Sequence, residues 1–149
     1  MTAQHLVIVA LLLVIAGLIV LLLFGRRLRR RGEVTMDELE GHDFEFFCAD
    51  LLRDAGFLDV EVTKGSGDFG ADILAEKDGV TYAVQCKCYE GPVGVAAVQE
   101  AFAGRAFYDC MVGAVMTNQY FTAPAVTAAR KLNILLWDRG YLDRMMQEK

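Results

Sequence analysis

The sequence has few of the residues that hold structural zinc ions. Its two histidines are His5 and His42, and its four cysteines include one close pair, Cys86 and Cys88. A structural zinc ion is usually held by two such pairs, and no second Cys or His pair follows at the required spacing. The sequence therefore argues against a structural zinc site.

Two common phosphate-handling signatures are incomplete as well. Asp68-Phe69-Gly70 spells the DFG triplet of protein kinases, but a chain of 149 residues is too short for that fold and has neither an HRD loop nor a VAIK lysine. The glycines around this triplet form no P-loop, because no Gly-Lys-Ser or Gly-Lys-Thr follows them. Kinases and P-loop nucleotide hydrolases are therefore excluded.

Positive charge is scarce after the N-terminal region. Of the fifteen Lys and Arg residues, five precede Glu33, whereas all twenty Asp and Glu residues lie at or after it. Residues 33–149 thus carry ten cations and twenty anions, a formal charge of −10. DNA-binding domains usually present a basic surface. This balance counts against nucleic-acid binding, so specific residues must argue for it.

One long apolar run is present, in residues 6–24, which contain no charge. At ~1.5 Å per residue a helix of this length spans roughly 28 Å, close to the ~30 Å hydrocarbon core of a bilayer. The run is followed by five arginines: Arg26, Arg27, Arg29, Arg30 and Arg31. Basic residues remain on the cytoplasmic side. We therefore expect a single-pass protein of the inner or plasma membrane, with its N-terminus outside, a transmembrane helix at 1–25 and a basic, lipid-contacting linker at 26–35.

Residues 36–149 predict a cytoplasmic α/β domain. Thr35 and Glu38 have the spacing of a capping box, which predicts a helix from there to about Ala55. Alternating or apolar segments predict strands at 59–64, 71–77, 80–88, 111–116 and 134–137. Further helices are predicted at 95–107, at 122–132 and at the C-terminal end. This order predicts a mixed sheet flanked by helices.

Three polar residues stand out in the predicted hairpin of strands 71–77 and 80–88. Asp72 opens an otherwise apolar strand, and Gln85 and Lys87 alternate with Cys86 in its partner. Because successive side chains of a strand point to opposite faces, Gln85 and Lys87 share one face and leave the apolar face to the core. Their own face would line a cleft or meet solvent.

A carboxylate, a neutral oxygen and a lysine close together suit phosphodiester hydrolysis. Mg²⁺ prefers oxygen ligands, so Asp72 would be its main ligand, helped by the side-chain carbonyl of Gln85 and the backbone carbonyl of Cys86. A divalent cation polarises a phosphate and lowers the pKa of a bound water. Lys87 would orient the attacking water or stabilise charge in the transition state. Glu45 borders the apolar stripe of the first helix, where its carboxylate can complete the site.

The two segments together resemble a known signature. Gly67-Asp68-Phe69-Gly70-Ala71-Asp72 followed by Gln85-Cys86-Lys87 resembles the GDxGxD…QxK pattern of Mrr-type restriction endonucleases, a branch of the PD-(D/E)XK nucleases. The resemblance covers about residues 36–145 and implies a restriction-endonuclease-like mixed β-sheet flanked by helices. It implies that Asp72, Gln85 and Lys87 are the catalytic trio, that Glu45 is an auxiliary metal ligand, and that residues 36–149 form a nuclease domain.

The same resemblance implies Mg²⁺ as the cofactor, with Mn²⁺ as a substitute, and DNA as the substrate. Gln85 stands where the wider superfamily usually has Glu, so we expect weaker metal binding. Asp68 fits a turn residue that caps its own backbone as well as it fits a functional acid. Since cutting both strands usually needs two active sites, a homodimer is expected beside DNA and membrane lipid as partners.

Two readings without catalysis remain open. In the first, the fold serves as a membrane-tethered nucleic-acid-binding or scaffolding module, which the charge of −10 and Gln85 favour. In the second, the domain binds a protein partner through Phe46 and the C-terminal helix. The prediction that follows from the full set of residues is a membrane-anchored, Mg²⁺-dependent DNA endonuclease of the restriction or defence type.

Overall fold

The structure is a computed structural model that describes residues 14–20, 35–63 and 69–148. The chain divides into two units, Met1–Thr35 and Met36–Lys149. In the first unit residues 14–20 are helical, and the predicted membrane segment extends beyond these described residues at both ends. Across the described ranges no helix is both long and apolar enough to cross a membrane. The arginine run and Asp68 also lie outside the described residues.

The second unit is built on one five-stranded sheet. Its strands are β1 (Leu58–Val62), β2 (Ile73–Lys77), β3 (Val80–Lys87), β4 (Val112–Thr117) and β5 (Ile134–Trp137), and they are adjacent in that order. β1, β2 and β3 are antiparallel, whereas β3, β4 and β5 are parallel. The β2–β3 hairpin turns at Asp78 and Gly79, which have φ of 53° and 78° as a type I′ turn requires. The predicted mixed sheet is confirmed.

Helices lie before, between and after the strands. They are α1 (Gly41–Asp54), α2 (Val95–Phe107), α3 (Ala123–Leu132) and α4 (Arg139–Gln147). α2 and α3 are the crossovers that parallel strands need. The hydroxyl of Thr122 caps α3 by accepting a hydrogen bond from the N–H of Ala125 at 3.3 Å. The bounds of α2 and β5 are those that the sequence predicts, and the ends of the other strands lie within two residues of the prediction.

Each face of the sheet has its own apolar cluster. On one face, buried side chains of α1 and α4 pack against Val84 and Cys86 of β3. On the other face, buried side chains of α2 and α3 pack against Val115 of β4. The sheet is therefore covered on both sides, and the two faces of β3 meet different helices.

The predicted start of the first helix is wrong. Met36–Glu38 forms a separate 3₁₀ turn, and α1 begins only at Gly41. The carboxylate of Asp37 accepts hydrogen bonds from the Arg139 guanidinium at 2.6 and 2.7 Å and from the Asn118 amide at 3.1 Å. These contacts with distant residues hold the turn against the domain, and such tertiary contacts override a local capping preference.

This ion pair predicts an acid-sensitive stabilisation. The hydrogen bonds from Arg139, with a smaller contribution from Asn118, lower the pKa of the Asp37 carboxyl. Because the folded-state pKa is lowered, the stabilisation is complete above the ordinary pKa of about 3.9 and is lost as the pH falls through the lower folded-state value. The pair is partly exposed, so we expect Asp37→Asn to lower the free energy of unfolding at pH 7 by about 1 kcal/mol or less.

Urea denaturation of the wild type and Asp37→Asn at pH 7 and at several pH values below 4 measures this effect. The difference between the two proteins should shrink in acid. A difference that stays constant across this range contradicts the role given to the charge.

Candidate active site

Asp72 is fixed by hydrogen bonds from both neighbouring strands. Its backbone N–H donates to the carbonyl of Val84 and its carbonyl accepts from the N–H of Thr63, both at 2.8 Å. Its Oδ2 accepts a hydrogen bond from the backbone N–H of Cys86 at 2.7 Å. The residue is buried immediately before β2. Its carboxylate is therefore held at the hairpin by the backbone of β3.

Gln85 is buried in β3 and has an unpaired oxygen. The Asp72 carboxylate accepts its hydrogen bond from the N–H of the peptide bond that joins Gln85 to Cys86, so it lies next to Gln85 in the chain of β3. Gln85 is 5% exposed, and within the described part of the chain its Oε1 has no hydrogen-bond partner. A buried acceptor without a partner costs about 1–3 kcal/mol, so it calls for a ligand or another explanation.

Lys87 forms an ion pair with an acid that lies outside the sequence motif. Its Nζ lies 2.5 Å from Oε2 of Glu100 in α2, and 17% of the Lys87 side chain is exposed. Burial acts to lower the pKa of the Lys87 ammonium, but the hydrogen bond and charge of Glu100, with smaller effects of Tyr89 and Asp72, outweigh it and raise the pKa. The face of Gln85 and Lys87 therefore does not meet open solvent. The sequence contains one indication that Glu100 has a specific role, since it is the one acidic residue of α2.

Two glycines bring α2 close to the hairpin. A Cβ on Gly70 would lie 2.2 Å from the backbone oxygen of Glu100, and a Cβ on Gly104 would lie 2.4 Å from the backbone oxygen of Gly70. Neither distance is compatible with a side chain, and Gly70 also has a φ of +92°. The glycine of the sequence motif therefore lets the helix that carries Glu100 approach the loop before Asp72.

Glu45 approaches from the opposite helix layer. It lies in α1, its side chain is 18% exposed, and its Oε2 is 2.6 Å from Nδ1 of His42. His42 in turn packs edge-on against the half-exposed Phe46, with 4.7 Å between ring centroids. The structure thus gives His42 a role that the sequence did not indicate, as the partner of the predicted auxiliary ligand.

The Cys86 thiol is buried, and its backbone N–H binds the Asp72 carboxylate. Burial, above all, and the neighbouring Cys48 raise the pKa of its thiol, with smaller effects of Asp72 and Glu45. The thiol itself belongs to the apolar cluster beneath α1, so it is the backbone carbonyl of Cys86 that is available as a ligand.

The donor atoms fit Mg²⁺ better than a thiolate- or imidazole-binding metal. Among the described residues no group of three or more His, Cys, Asp and Glu side chains is arranged to hold a metal ion. The predicted set contains two such residues, Asp72 and Glu45, together with the side-chain oxygen of Gln85 and the backbone oxygen of Cys86. Mg²⁺ usually takes one or two carboxylates and retains waters, so a buried carboxylate beside an unpaired amide oxygen suits it.

The sequence matches a known family over most of its length. Residues 36–146 match the profile of the Mrr catalytic domain, described as a restriction endonuclease. No curated protein matches the chain significantly.

Solved structures share the fold at low sequence identity. A protein of unknown function, AF1548, aligns with a TM-score of 0.56 at 22% identity, over 69% of this chain and 65% of its own. The DNA modification-dependent restriction endonuclease AspBHI aligns with a TM-score of 0.54 at 18% identity, over 72% of this chain and 31% of its own. The MspJI restriction endonuclease, solved with a 27-mer oligonucleotide, aligns with a TM-score of 0.51 at 19% identity, over 68% of this chain and 26% of its own. The chain thus spans less than two thirds of each of these proteins.

Proposed function

This chain belongs to the Mrr catalytic-domain family of restriction endonucleases, and from that membership we propose that it is a Mg²⁺-dependent endonuclease that hydrolyses phosphodiester bonds in DNA. The observation that carries the proposal is the unpaired, buried Oε1 of Gln85, the residue next to the Cys86 N–H that binds the Asp72 carboxylate. A purely structural glutamine would be expected to have a partner for this atom. A glutamine that serves as a metal ligand would lack such a partner until the metal binds.

Each residue of the site has a separate task. The Asp72 carboxylate, oriented by the Cys86 N–H, would hold the cation, and the side-chain oxygen of Gln85 and the backbone oxygen of Cys86 would add neutral donors. Glu45 serves as the auxiliary ligand from α1. When bound, Mg²⁺ polarises the scissile phosphate and favours deprotonation of the attacking water. Lys87 carries a positive charge next to these groups and stabilises the negative charge that develops on the phosphate.

Cleavage of supercoiled plasmid by the full chain, purified in mild detergent, tests this function. We expect nicking with Mg²⁺ or Mn²⁺ and none with EDTA. Equal cleavage with EDTA, or none with either metal, overturns the proposal. Preferential cleavage of RNA would move the substrate class from DNA to RNA.

Because two active sites usually cut the two strands, we also propose that a homodimer acts. Linear product should therefore rise more steeply with protein concentration than nicked product.

A second candidate function is a tethered DNA-binding module without cleavage. Gln85 favours it, because a neutral amide stands where the wider superfamily usually has a carboxylate, and this leaves a cation with weaker ligands. Salt-sensitive DNA binding without cleavage in any metal would support this module. Cleavage that EDTA abolishes would exclude it.

Replacing Gln85 by Glu should make the domain more dependent on metal. A second carboxylate beside Asp72 repels it while no cation is bound, so we expect a lower melting temperature in EDTA. The added charge also strengthens cation binding, so Mg²⁺ should raise the melting temperature more than in the wild type. Cleavage should persist. Gln99→Glu, at an exposed position of α2, is the matched control, and an equal response of both variants to Mg²⁺ contradicts the ligand role of Gln85.

We further propose that residues 1–25 anchor the domain in the inner or plasma membrane. The apolar run at 6–24 and the arginines after it support an outside N-terminus and a cytoplasmic nuclease domain.

A reporter that is active only in the cytoplasm should therefore work when fused after Lys149. Replacing Leu12 and Val14 by arginine should release the protein from membranes, since each charge costs about 2.5–3.5 kcal/mol at the centre of a membrane helix. An inactive reporter, or a folded double variant that remains in the membrane fraction, contradicts this topology.

A further inference from the structure

We propose that Glu100 is a positioning residue that holds Lys87 in place for catalysis; this inference rests on the proposed nuclease function and adds a residue to its site. Glu100 lies outside both segments of the sequence motif. The ion pair joins the last residue of β3 to the second turn of α2, with 2.5 Å between Nζ and Oε2.

A lysine without a partner does not hold its ammonium group in one place. Its side chain has four rotatable bonds, and ordering it costs up to about 2 kcal/mol of conformational entropy. Lys87 is mostly enclosed, with 17% of its side chain exposed, whereas the Glu100 side chain is 43% exposed. The position of the Lys87 ammonium is therefore restricted by Glu100, which extends towards it from α2. A fixed cation stabilises a transition state without the cost of being ordered during the reaction.

The helix that carries Glu100 is itself held at a fixed distance. The backbone of α2 touches the loop before Asp72 through Gly70 and Gly104, where no Cβ can be accommodated. One glycine contact thus joins the loop before the proposed metal ligand to the helix that bears the partner of the proposed catalytic lysine. Among the Asp and Glu residues, Glu100 is the only one that α2 offers for this position.

The test compares Glu100→Gln, Glu100→Asp and the control Gln99→Ala in the plasmid assay with full chain. Gln99 is the exposed neighbour on the same helix. A displaced catalytic group lowers turnover by roughly a hundredfold, so we expect Glu100→Gln to lower kcat by about that factor. KM for DNA should not rise, because the variant removes a negative charge. Glu100→Asp, which keeps the charge, should recover more of kcat, and Gln99→Ala should cleave like the wild type.

The same proteins are also labelled with an amine-reactive ester, and labelling of Lys87 is measured by mass spectrometry relative to the exposed Lys131. We expect the Lys87 to Lys131 ratio to rise several-fold in Glu100→Gln and to stay unchanged in Gln99→Ala. Wild-type turnover in Glu100→Gln, equal losses in Glu100→Gln and Gln99→Ala, or an unchanged labelling ratio would each overturn the inference. A wild-type chain that does not cleave DNA overturns the proposed function instead, and the labelling ratio still decides whether Glu100 holds Lys87.

Discussion

Asp72→Asn should lower DNA cleavage by roughly a thousandfold while leaving the domain folded. Asparagine has the same size as aspartate, and its side-chain oxygen can accept the hydrogen bond that the Cys86 N–H donates to Oδ2 at 2.7 Å. What the substitution removes is the negative charge, and with it the one charged ligand that the hairpin offers to a cation. The loss should therefore appear in metal binding and turnover and leave the melting temperature in EDTA nearly unchanged.

Asp43→Asn is the matched control, because it removes a carboxylate from an exposed position of α1. Plasmid nicking and calorimetric titration with Mn²⁺ should separate the two variants. Asp72→Ala adds a second contrast, since it leaves the buried Cys86 N–H without its acceptor and should lower stability by about 1–3 kcal/mol. Cleavage by Asp72→Asn at the wild-type rate would remove Asp72 from the active site.

Much of the sheet could be predicted because its information is local. Alternation along β3 separates Gln85 and Lys87 from Val84 and Cys86, and the burial of Val84 and Cys86 beneath α1 confirms that separation. The β2–β3 turn follows from two residues that tolerate positive φ, Asp78 and Gly79. Apolar runs bounded by turn residues likewise predict β4 and β5. None of these elements needs knowledge of a distant partner.

Where the prediction failed, a distant partner was the cause. The capping box at Thr35 is a sound local signal, but Asp37 is drawn to Arg139, 102 positions further along the chain, and the helix begins after the turn. The same argument applies to the site. Asp72 immediately precedes β2, and Gln85 and Lys87 lie in the adjacent β3, so the three could be grouped from the sequence. Glu100 pairs with Lys87 only because α2 crosses this part of the sheet. A helix pattern of mixed Ala and Val does not reveal which residue meets a strand.

The close contact of Gly104 with the backbone of Gly70 links the stability of the domain to the candidate site. A glycine inside a helix costs about 1 kcal/mol relative to alanine, so helix propensity alone predicts that Gly104→Ala stabilises the protein. Against this gain, the added Cβ would lie 2.4 Å from the oxygen and 2.6 Å from the carbon of the Gly70 carbonyl group. Both are backbone atoms of a loop anchored at Asp72, so neither can move aside cheaply. Overpacking of this kind costs about 1–3 kcal/mol, and contact with backbone places it at the upper end.

We therefore expect Gly104→Ala to lower the free energy of unfolding by roughly 2 kcal/mol and to reduce DNA cleavage by the protein that remains folded. The second effect follows because moving α2 outward moves Glu100 away from Lys87. Gly91→Ala is the control, since a Cβ there meets nothing within 4 Å, and it should leave both quantities close to wild type. Urea denaturation and plasmid nicking measure the two effects. If Gly104→Ala is as stable as the wild type or more stable, helix propensity outweighs the contact, and the glycine pair does not set the distance between α2 and the loop before Asp72.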